Sequence, residues 1–296
     1  MLCSHCSSRA LMKRPATNEA VCKNCFYFLF EEEVHNTVIS DNLFRSGESV
    51  TVGISGGKDS ACLAEVLHIL NQRHNYGINM HLLCIDEGIR GYRDLSLKSV
   101  HDLQQRLSLP LTVLSFQDLF GFDLDKAISV SGHSKSCTVC GTLRRKSLLT
   151  GARQVGSKKI VLGHNADDCA ETVLLNLIRG DTSKLVTCSS SLSGSLETSE
   201  VVRVRPFQRT FQKEIVLYCH FKKLPYFSTE CLYAHSALRG LTRHALLAMS
   251  SLNPRAPLDI LKSASLLEPI DPLVIKTEKS LKFICKECGE SCNTEK

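Results

Sequence analysis

Residues Val52–Leu67 read VGISGGKDSACLAEVL, and the glycine-rich run Ser55–Ser60 within them decides the fold. Ahead of the run, Ser49–Ile54 (SVTVGI) alternates as a short strand does; beyond it, Leu63, Leu67 and Leu70 recur at helical spacing. A strand, a glycine loop and a helix put the loop's backbone N–H groups at a helix N-terminus, where the partial positive charge favours an anion. Lys58 adds a point charge at the same place. Two common phosphate loops are excluded. A Walker loop needs glycine where Val52 stands and Ser or Thr where Asp59 stands. The dinucleotide fingerprint needs G-x-G, whereas Gly53 is followed by Ile54, Ser55 and Gly56.

The same order of elements recurs along the chain. His81–Ile85 reads as a strand, followed by Asp86, Glu87 and Gly88 and a helix near Leu95–Leu107; Leu111–Phe116 is a third strand. Lys159–Leu162 is a fourth, ending in Gly163-His164-Asn165-Ala166-Asp167-Asp168 before a helix with Ala170, Val173, Leu174 and Leu177 on one face. Repeated strand–loop–helix units predict an α/β fold, a parallel sheet wrapped by helices, with ligands beyond the carboxyl ends of the strands. The Ser55–Ser60 loop, Asp86 and the Gly163–Asp168 loop share that edge, where the active site is expected. Asp167 and Asp168 also suit the first turn of a helix, and His164 and Asn165 suit loop-fixing as well as substrate contact. Residues 188–199 are mostly Ser, Thr and Gly and mark a mobile excursion. Helices resume at Lys213–Leu224 and Leu238–Leu252, and after Asn253, with Pro254, Pro257, Pro269 and Pro272, the tail reads as irregular.

Composition narrows the class. With 296 residues, 43% hydrophobic and 22% charged, the chain has ample length for a buried core. It contains no apolar run near the roughly 18 to 20 residues that span a bilayer, and no signal-peptide pattern opens it, so a cytoplasmic, membrane-free protein is expected. The net charge of +6 is modest, but basic residues cluster. Arg144, Arg145, Lys146, Arg153, Lys158 and Lys159 stand together without an acid; Arg203, Arg205, Arg209, Lys213, Lys222 and Lys223 share a stretch with Glu214 alone. Such runs fit a polyanion such as nucleic acid, or simply a solvated face.

Fifteen cysteines in a chain expected in a reducing compartment point to metal rather than disulfides. Cys3-Ser-His-Cys6 and Cys22-Lys-Asn-Cys25 are two C-x2-C pairs fifteen residues apart, the spacing of a four-cysteine zinc ribbon. Cys137-Thr-Val-Cys140 stands without a second pair nearby and fits either a redox dithiol or part of a cluster whose third ligand lies far off, Cys231 being the candidate. Cys285-Lys-Glu-Cys288 forms half of another ribbon, with Cys292 four residues on. Cys62, Cys84, Cys169, Cys188 and Cys219 read as small buried thiols.

Taken together, SGGKDS after a strand resembles the PP-loop of the adenosine-nucleotide alpha-hydrolase-like ATP pyrophosphatases, which split ATP to AMP and pyrophosphate while adenylating a substrate. Within that group, the N-terminal ribbon, SGGKDS, DEGIRGYRD (Asp86–Asp94), CTVCGTLRR (Cys137–Arg145) and GHNADDCAET (Gly163–Thr172) occur in order. This arrangement resembles the catalytic subunits of eukaryotic cytoplasmic tRNA thiolases, relatives of archaeal and bacterial two-thiouridine synthetases, over Cys3 to about His244.

The resemblance implies a PP-loop fold with an N-terminal zinc ribbon over 1–35, a catalytic domain over 36–252 and a tail over 253–296 with an incomplete second ribbon. It implies 2-thiolation of the wobble uridine in tRNAs for lysine, glutamate and glutamine. Gly53, Ser55, Gly56, Gly57, Lys58, Asp59, Ser60, Gly163 and Asp168 then bind ATP, and Asp59 and Asp168 hold Mg²⁺. Arg144 stabilises charge at the alpha-phosphate. Cys137, Cys140 and Cys231 ligate a 4Fe-4S cluster with an open iron position for sulfur; Cys3, Cys6, Cys22 and Cys25 hold Zn²⁺. A second thiolation subunit and a thiocarboxylated ubiquitin-related modifier, the sulfur donor, are the implied partners besides tRNA. The family closes the C-terminal ribbon with a second C-x2-C, whereas this chain stops at Lys296, leaving Cys285 and Cys288 two ligands short. Two alternatives stand beside this reading: a PP-loop ligase or thiolase acting on another base or a small molecule, and a non-catalytic RNA-binding scaffold.

Overall fold

The computed structural model describes residues 1–133, 136–181, 184–185, 190–193, 201–229, 231–233, 238–267, 283–284 and 291–292. Met12–Lys13 (β1) and Ala20–Val21 (β2) pair antiparallel between the first two cysteine turns. Helix α1 (Lys23–Ser40) follows because Phe26, Phe30, Val34 and Val38 repeat every four residues and bury one face. Cys22 caps its start by accepting the Cys25 N–H at 3.5 Å. Burying each of these aromatic rings contributes about 1.5–3 kcal/mol. The helix runs unbroken through the expected boundary at residue 35, so ribbon and sheet share α1 instead of a linker.

The expected alternation then unfolds. Strand β3 (Ser49–Ile54) leads through the glycine loop into α2 (Lys58–Arg73), and β4 (Asn79–Asp86) leads into α3 (Arg93–Leu107). Next come β5 (Leu111–Ser115), the short α4 (Phe116–Phe120) and α5 (Leu124–Ser131), and the long α6 (Ser136–Gln154). Strand β6 (Lys159–Val161) leads into α7 (Ala166–Ile178), then β7 (Leu192–Ser193), β8 (Val202–Val204) and α8 (Gln212–Lys222). The sheet order is β5-β4-β3-β6-β8-β7, parallel except for the antiparallel edge strand β7. The core on one face joins Phe26 and Phe30 of α1, Leu63 and Leu67 of α2, Val100 and Leu103 of α3 and Ile215 and Tyr218 of α8. On the other face Leu83 and Ile85 of β4 meet Leu124 and Ile128 of α5, and Ala152 of α6 meets Ile160 of β6.

Two expectations are corrected. The tail after Asn253 is not irregular throughout, because α9 (Leu238–Leu252) is followed by helix α10 (Ala256–Ser265), and both pack on α7. Pro257 sits in the first turn of α10, where a missing N–H costs no helical bond, and Leu261 and Ala264 bury against Ala166 and Val173. Within 188–199, Leu192 and Ser193 pair with Val204 and Arg203, while residues 194–199 lie outside the described chain. Further on, Phe283–Ile284 (β9) pairs with Ser291–Cys292 (β10), and Cys285 and Cys288 fall outside the described residues. Among the described residues no helix is long and apolar enough to cross a membrane.

Buried charge ties the ribbon to the sheet domain. The guanidinium of Arg14, 2% exposed, donates to Glu33 of α1 at 2.8 and 2.6 Å and to Glu214 of α8 at 2.9 Å. Glu214 also accepts the Ala16 N–H at 3.0 Å. Lys159, a member of a basic run but also the first residue of a strand whose sequence reads as buried, is buried, donating to the Leu43 carbonyl at 2.7 Å and to Glu48 at 2.8 Å. Because Glu214 is 1% exposed, truncating Arg14 leaves an uncompensated carboxylate in the core. Arg14→Ala is expected to lower stability by about 3–5 kcal/mol, and Glu33→Gln, at the 44% exposed partner, by much less. Urea denaturation followed by circular dichroism measures both; equal midpoints for the two variants would contradict this account.

Candidate active site

The carboxyl ends of β3 and β6 bring two loops into contact. In the first, Gly56 lies at φ +75°, and a Cβ there would stand 2.6 Å from the Ser96 carbonyl oxygen, so neither its conformation nor its neighbour accepts a side chain. Ser96 on α3 supports the turn by donating its hydroxyl to the Ser55 carbonyl at 2.9 Å. Ser60 closes it from inside, accepting the Ser55 N–H at 3.1 Å and donating to the Gly57 carbonyl at 3.0 Å. The Phe227 N–H donates to the Gly56 carbonyl at 2.7 Å. Helix α2 starts at Gly57 with no side-chain cap, so its first turn faces the loop's concavity through backbone donors and the Lys58 ammonium.

The second loop presses against the first. A Cβ on Gly163 would stand 3.0 Å from the backbone C and O of Asp59 and 3.1 Å from the Ser60 nitrogen. Asn165, fully buried, donates its side-chain amide to Asp59 at 3.1 Å and caps α7 by accepting the Asp168 N–H at 3.0 Å. Asp168 completes a capping box by accepting the Asn165 N–H at 3.3 Å. Asp167 turns away to accept the Gln212 N–H at 2.8 Å, and burial pushes its carboxyl above the usual range. Asp59 also accepts the Lys58 ammonium at 2.8 Å. Asp59 and Asp168 therefore flank one asparagine beside the glycine loop, and Gly53 lies directly behind, packed on Leu162.

A third group lies at the carboxyl end of β4. Asp86, 6% exposed, accepts the Gly88 N–H at 2.9 Å and pairs with Arg93. Glu87 pairs with Arg144 of α6 at 2.7 Å. Arg144 reaches the Cys140 sulfur at 3.6 Å. Its side chain is 47% exposed, and the neighbouring Glu87 carboxylate raises its pKa, so the guanidinium stays protonated. Burial pushes the Cys140 thiol up to about 11, with Cys231 and Cys137 as electrostatic neighbours. Cys140 and Cys231 both line the apolar cluster around Leu83 and Ile85, and the Cys137 thiol faces the Tyr233 carbonyl at 3.8 Å. Residues far apart in the chain thus meet at the start of α6. Next to them, an open cavity of about 560 Å³ is lined by Asp86, Arg93, Ser115 and Asp123 among others.

Cys3, Cys6, Cys22 and Cys25 bring their four sulfurs within 4.8 Å of one another, and Cys6 and Cys22 stand 3.6 Å apart. Four thiolates that close repel, and contact with Cys6 followed by burial pushes the Cys25 thiol up to about 12. A cation at the centre relieves that repulsion, which is what a tetrahedral Zn²⁺ site supplies. Cys137, Cys140 and Cys231 do not form so tight a set. The sequence reading missed Ser96, Phe227 and Tyr233. The first acts through its hydroxyl and the other two through backbone groups that no side-chain motif advertises.

Residues 29–250 match the PP-loop domain family. The cytoplasmic tRNA 2-thiolation protein 1 of Drosophila ananassae is 46% identical over 97% of this chain and 82% of its own length. Its counterpart from Arabidopsis thaliana is 46% identical over 97% of this chain and 80% of its own length. Among solved structures, the U34-tRNA thiolase NcsA of Methanococcus maripaludis, determined with its 4Fe-4S cluster, superposes with a TM-score of 0.79 at 25% identity, covering 98% of this chain and 91% of that one. The chain belongs to the PP-loop domain family and, within it, to the family of cytoplasmic tRNA 2-thiolation protein 1.

Proposed function

We propose that the chain is a cytoplasmic, ATP-dependent tRNA thiolase that replaces the C2 oxygen of the wobble uridine with sulfur. The observation that carries this reading is one sheet edge bearing both an anion cradle and a cysteine–arginine cluster. The cradle is the Ser55–Ser60 loop locked to Gly163–Asp168, and the cluster is Cys137, Cys140 and Cys231 around Arg144. A urea-like carbonyl is a poor electrophile and oxide cannot leave at neutral pH, so the oxygen must first be made a leaving group. In the first step the C2 oxygen attacks the alpha-phosphate of ATP and pyrophosphate departs. In the second, a sulfur nucleophile attacks C2 and AMP departs.

Each group has a part in this scheme. Gly53, the Ser55–Ser60 loop and Gly163 hold the nucleotide, with Lys58 and the uncapped first turn of α2 stabilising charge on the departing pyrophosphate. Asp59 and Asp168 offer hard oxygens to Mg²⁺. Arg144, held protonated by Glu87, stabilises charge gathering at the alpha-phosphate. The three cysteines are spread more widely than the four of the ribbon, which suits a polynuclear cluster better than a single ion. A 4Fe-4S cluster held there would supply an open iron position for sulfur. The motif resemblance supports extending the reading to tRNAs for lysine, glutamate and glutamine, to a second thiolation subunit, and to a thiocarboxylated ubiquitin-related modifier as donor. Exposed Arg145, Lys146, Arg153 and Lys158 on and just beyond α6 supply positive charge for the tRNA backbone.

Three substitutions separate these parts. Cys137→Ala is expected to abolish thiouridine, measured by mass spectrometry of digested tRNA, while tRNA-dependent pyrophosphate release persists; loss of both would remove the cysteine from the sulfur step. Lys58→Ala removes a charge-assisted contact of about 1.5–3 kcal/mol, a roughly ten- to hundred-fold weaker ATP affinity by calorimetry. Gly163→Ala requires the Asp59–Ser60 backbone to give by a few tenths of an ångström, and it is expected to slow pyrophosphate release, by less than the roughly hundred-fold that a 1 Å misplacement costs; full activity in this variant would show that the loop contact is dispensable.

A further inference from the structure

At the opposite end of α2 from the glycine loop, two histidines and a glutamate meet outside any site described above. Glu32 and His35 lie one turn apart on α1, and His74 caps the end of α2. One ligand atom from each falls within 4.8 Å of the others. His74 Nε2 stands 3.2 Å from Glu32 Oε1. Two ligand atoms bound to one tetrahedral zinc at about 2.0–2.1 Å stand about 3.3–3.4 Å apart, so this pair is already at coordination spacing. His35 Nδ1 is 2.6 Å from the Tyr76 hydroxyl, the kind of outer partner that orients a ligating imidazole and leaves Nε2 to face an ion.

We propose that Glu32, His35 and His74 form a zinc site that staples α1 to the far end of α2. The donor set, two imidazoles and one carboxylate, suits zinc and leaves a fourth position for water. One movement is required. The imidazoles are stacked with centroids 3.7 Å apart and planes 10° apart, and parallel rings cannot both aim a lone pair at one ion. His74, 25% exposed at a helix end, is the ring that would turn about its Cβ–Cγ bond, giving up its stack on His35. Arg73 donates to Glu32 at 3.3 Å but keeps its closer partner Glu31 if that contact yields to the metal. The consequence is structural. Helix α1 starts at ribbon ligand Cys22 and α2 starts in the glycine loop about 24 Å away along its axis, so the ion would fix the ribbon's helix against the loop's helix.

The test compares the full chain with His35→Asn/His74→Asn and, separately, with Glu32→Gln, which leaves both rings in place. After equilibrium dialysis against zinc under reducing conditions, the unaltered chain is expected to hold one more equivalent per chain than either variant. All cysteine sites are common to the three proteins and cancel in the comparison. Dialysis against Co²⁺ then identifies the ligands: the difference spectrum should show visible ligand-field bands and no near-ultraviolet thiolate-to-cobalt charge transfer. Equal zinc content in all three proteins overturns the proposal. So does a difference spectrum with thiolate charge transfer, because the metal lost would then have come from cysteines.

Discussion

The approach of Gly163 to the Asp59–Ser60 backbone is the constraint on which the site depends. Two strand ends in a parallel sheet are spaced by the ladder, and their loops meet only if nothing projects between them. With hydrogen at Gly163, the backbone of the second loop reaches the first turn of α2. Asn165 then spans the junction, bonding Asp59 with its amide while capping α7 with its carbonyl oxygen. The backbone of both loops is thereby fixed in place, and donors held by a fixed backbone are the condition for strong electrostatic stabilisation of an anion.

The same economy recurs in the ribbon. Cys22 belongs to the tight sulfur set and also caps α1, so the packing of the four thiols and helix initiation share one residue. Arg14, on the ribbon's hairpin, closes the other end by pairing with acids from α1 and α8. The ribbon is therefore held against the catalytic sheet by burial of Phe26 and Phe30 and by an ion pair that is costly to break. Its removal would expose both.

Much of this was legible in the sequence because each step rests on local chemistry. The run SVTVGI followed by SGGKDS could only be a strand entering a glycine turn, and it is. C-x2-C pairs fifteen residues apart announced the tight sulfur set. What was not legible depended on distance in the chain. Lys159 reads both as one of six clustered cations and as the start of a buried strand, and only its distant partners, Glu48 and the Leu43 carbonyl, decide for burial. Prolines after Asn253 read as breakers, yet Pro257 falls in a first turn that tolerates it. Ser96 looks like any polar residue on an exposed helix until its hydroxyl is seen beneath Ser55. Cys231 joins Cys137 and Cys140 only through the family resemblance, because no spacing rule links it to Cys140.

Asp59, which broke the Walker pattern, has a physical account in this setting. A Ser or Thr after the lysine would leave Asn165 without its partner across the loops and Lys58 without a counter-charge. As a carboxylate in the first turn of α2, Asp59 is favoured by the helix dipole by about 0.3–1 kcal/mol. It also accepts the lysine ammonium at 2.8 Å. Arrival of a phosphate offers that ammonium a second, more highly charged partner at the mouth of the same loop. The loop can then exchange an internal ion pair for an external one while Asn165 keeps its backbone in place, so the residue that excludes one phosphate-loop class gives this one both a counter-charge for its lysine and a tie to the second loop.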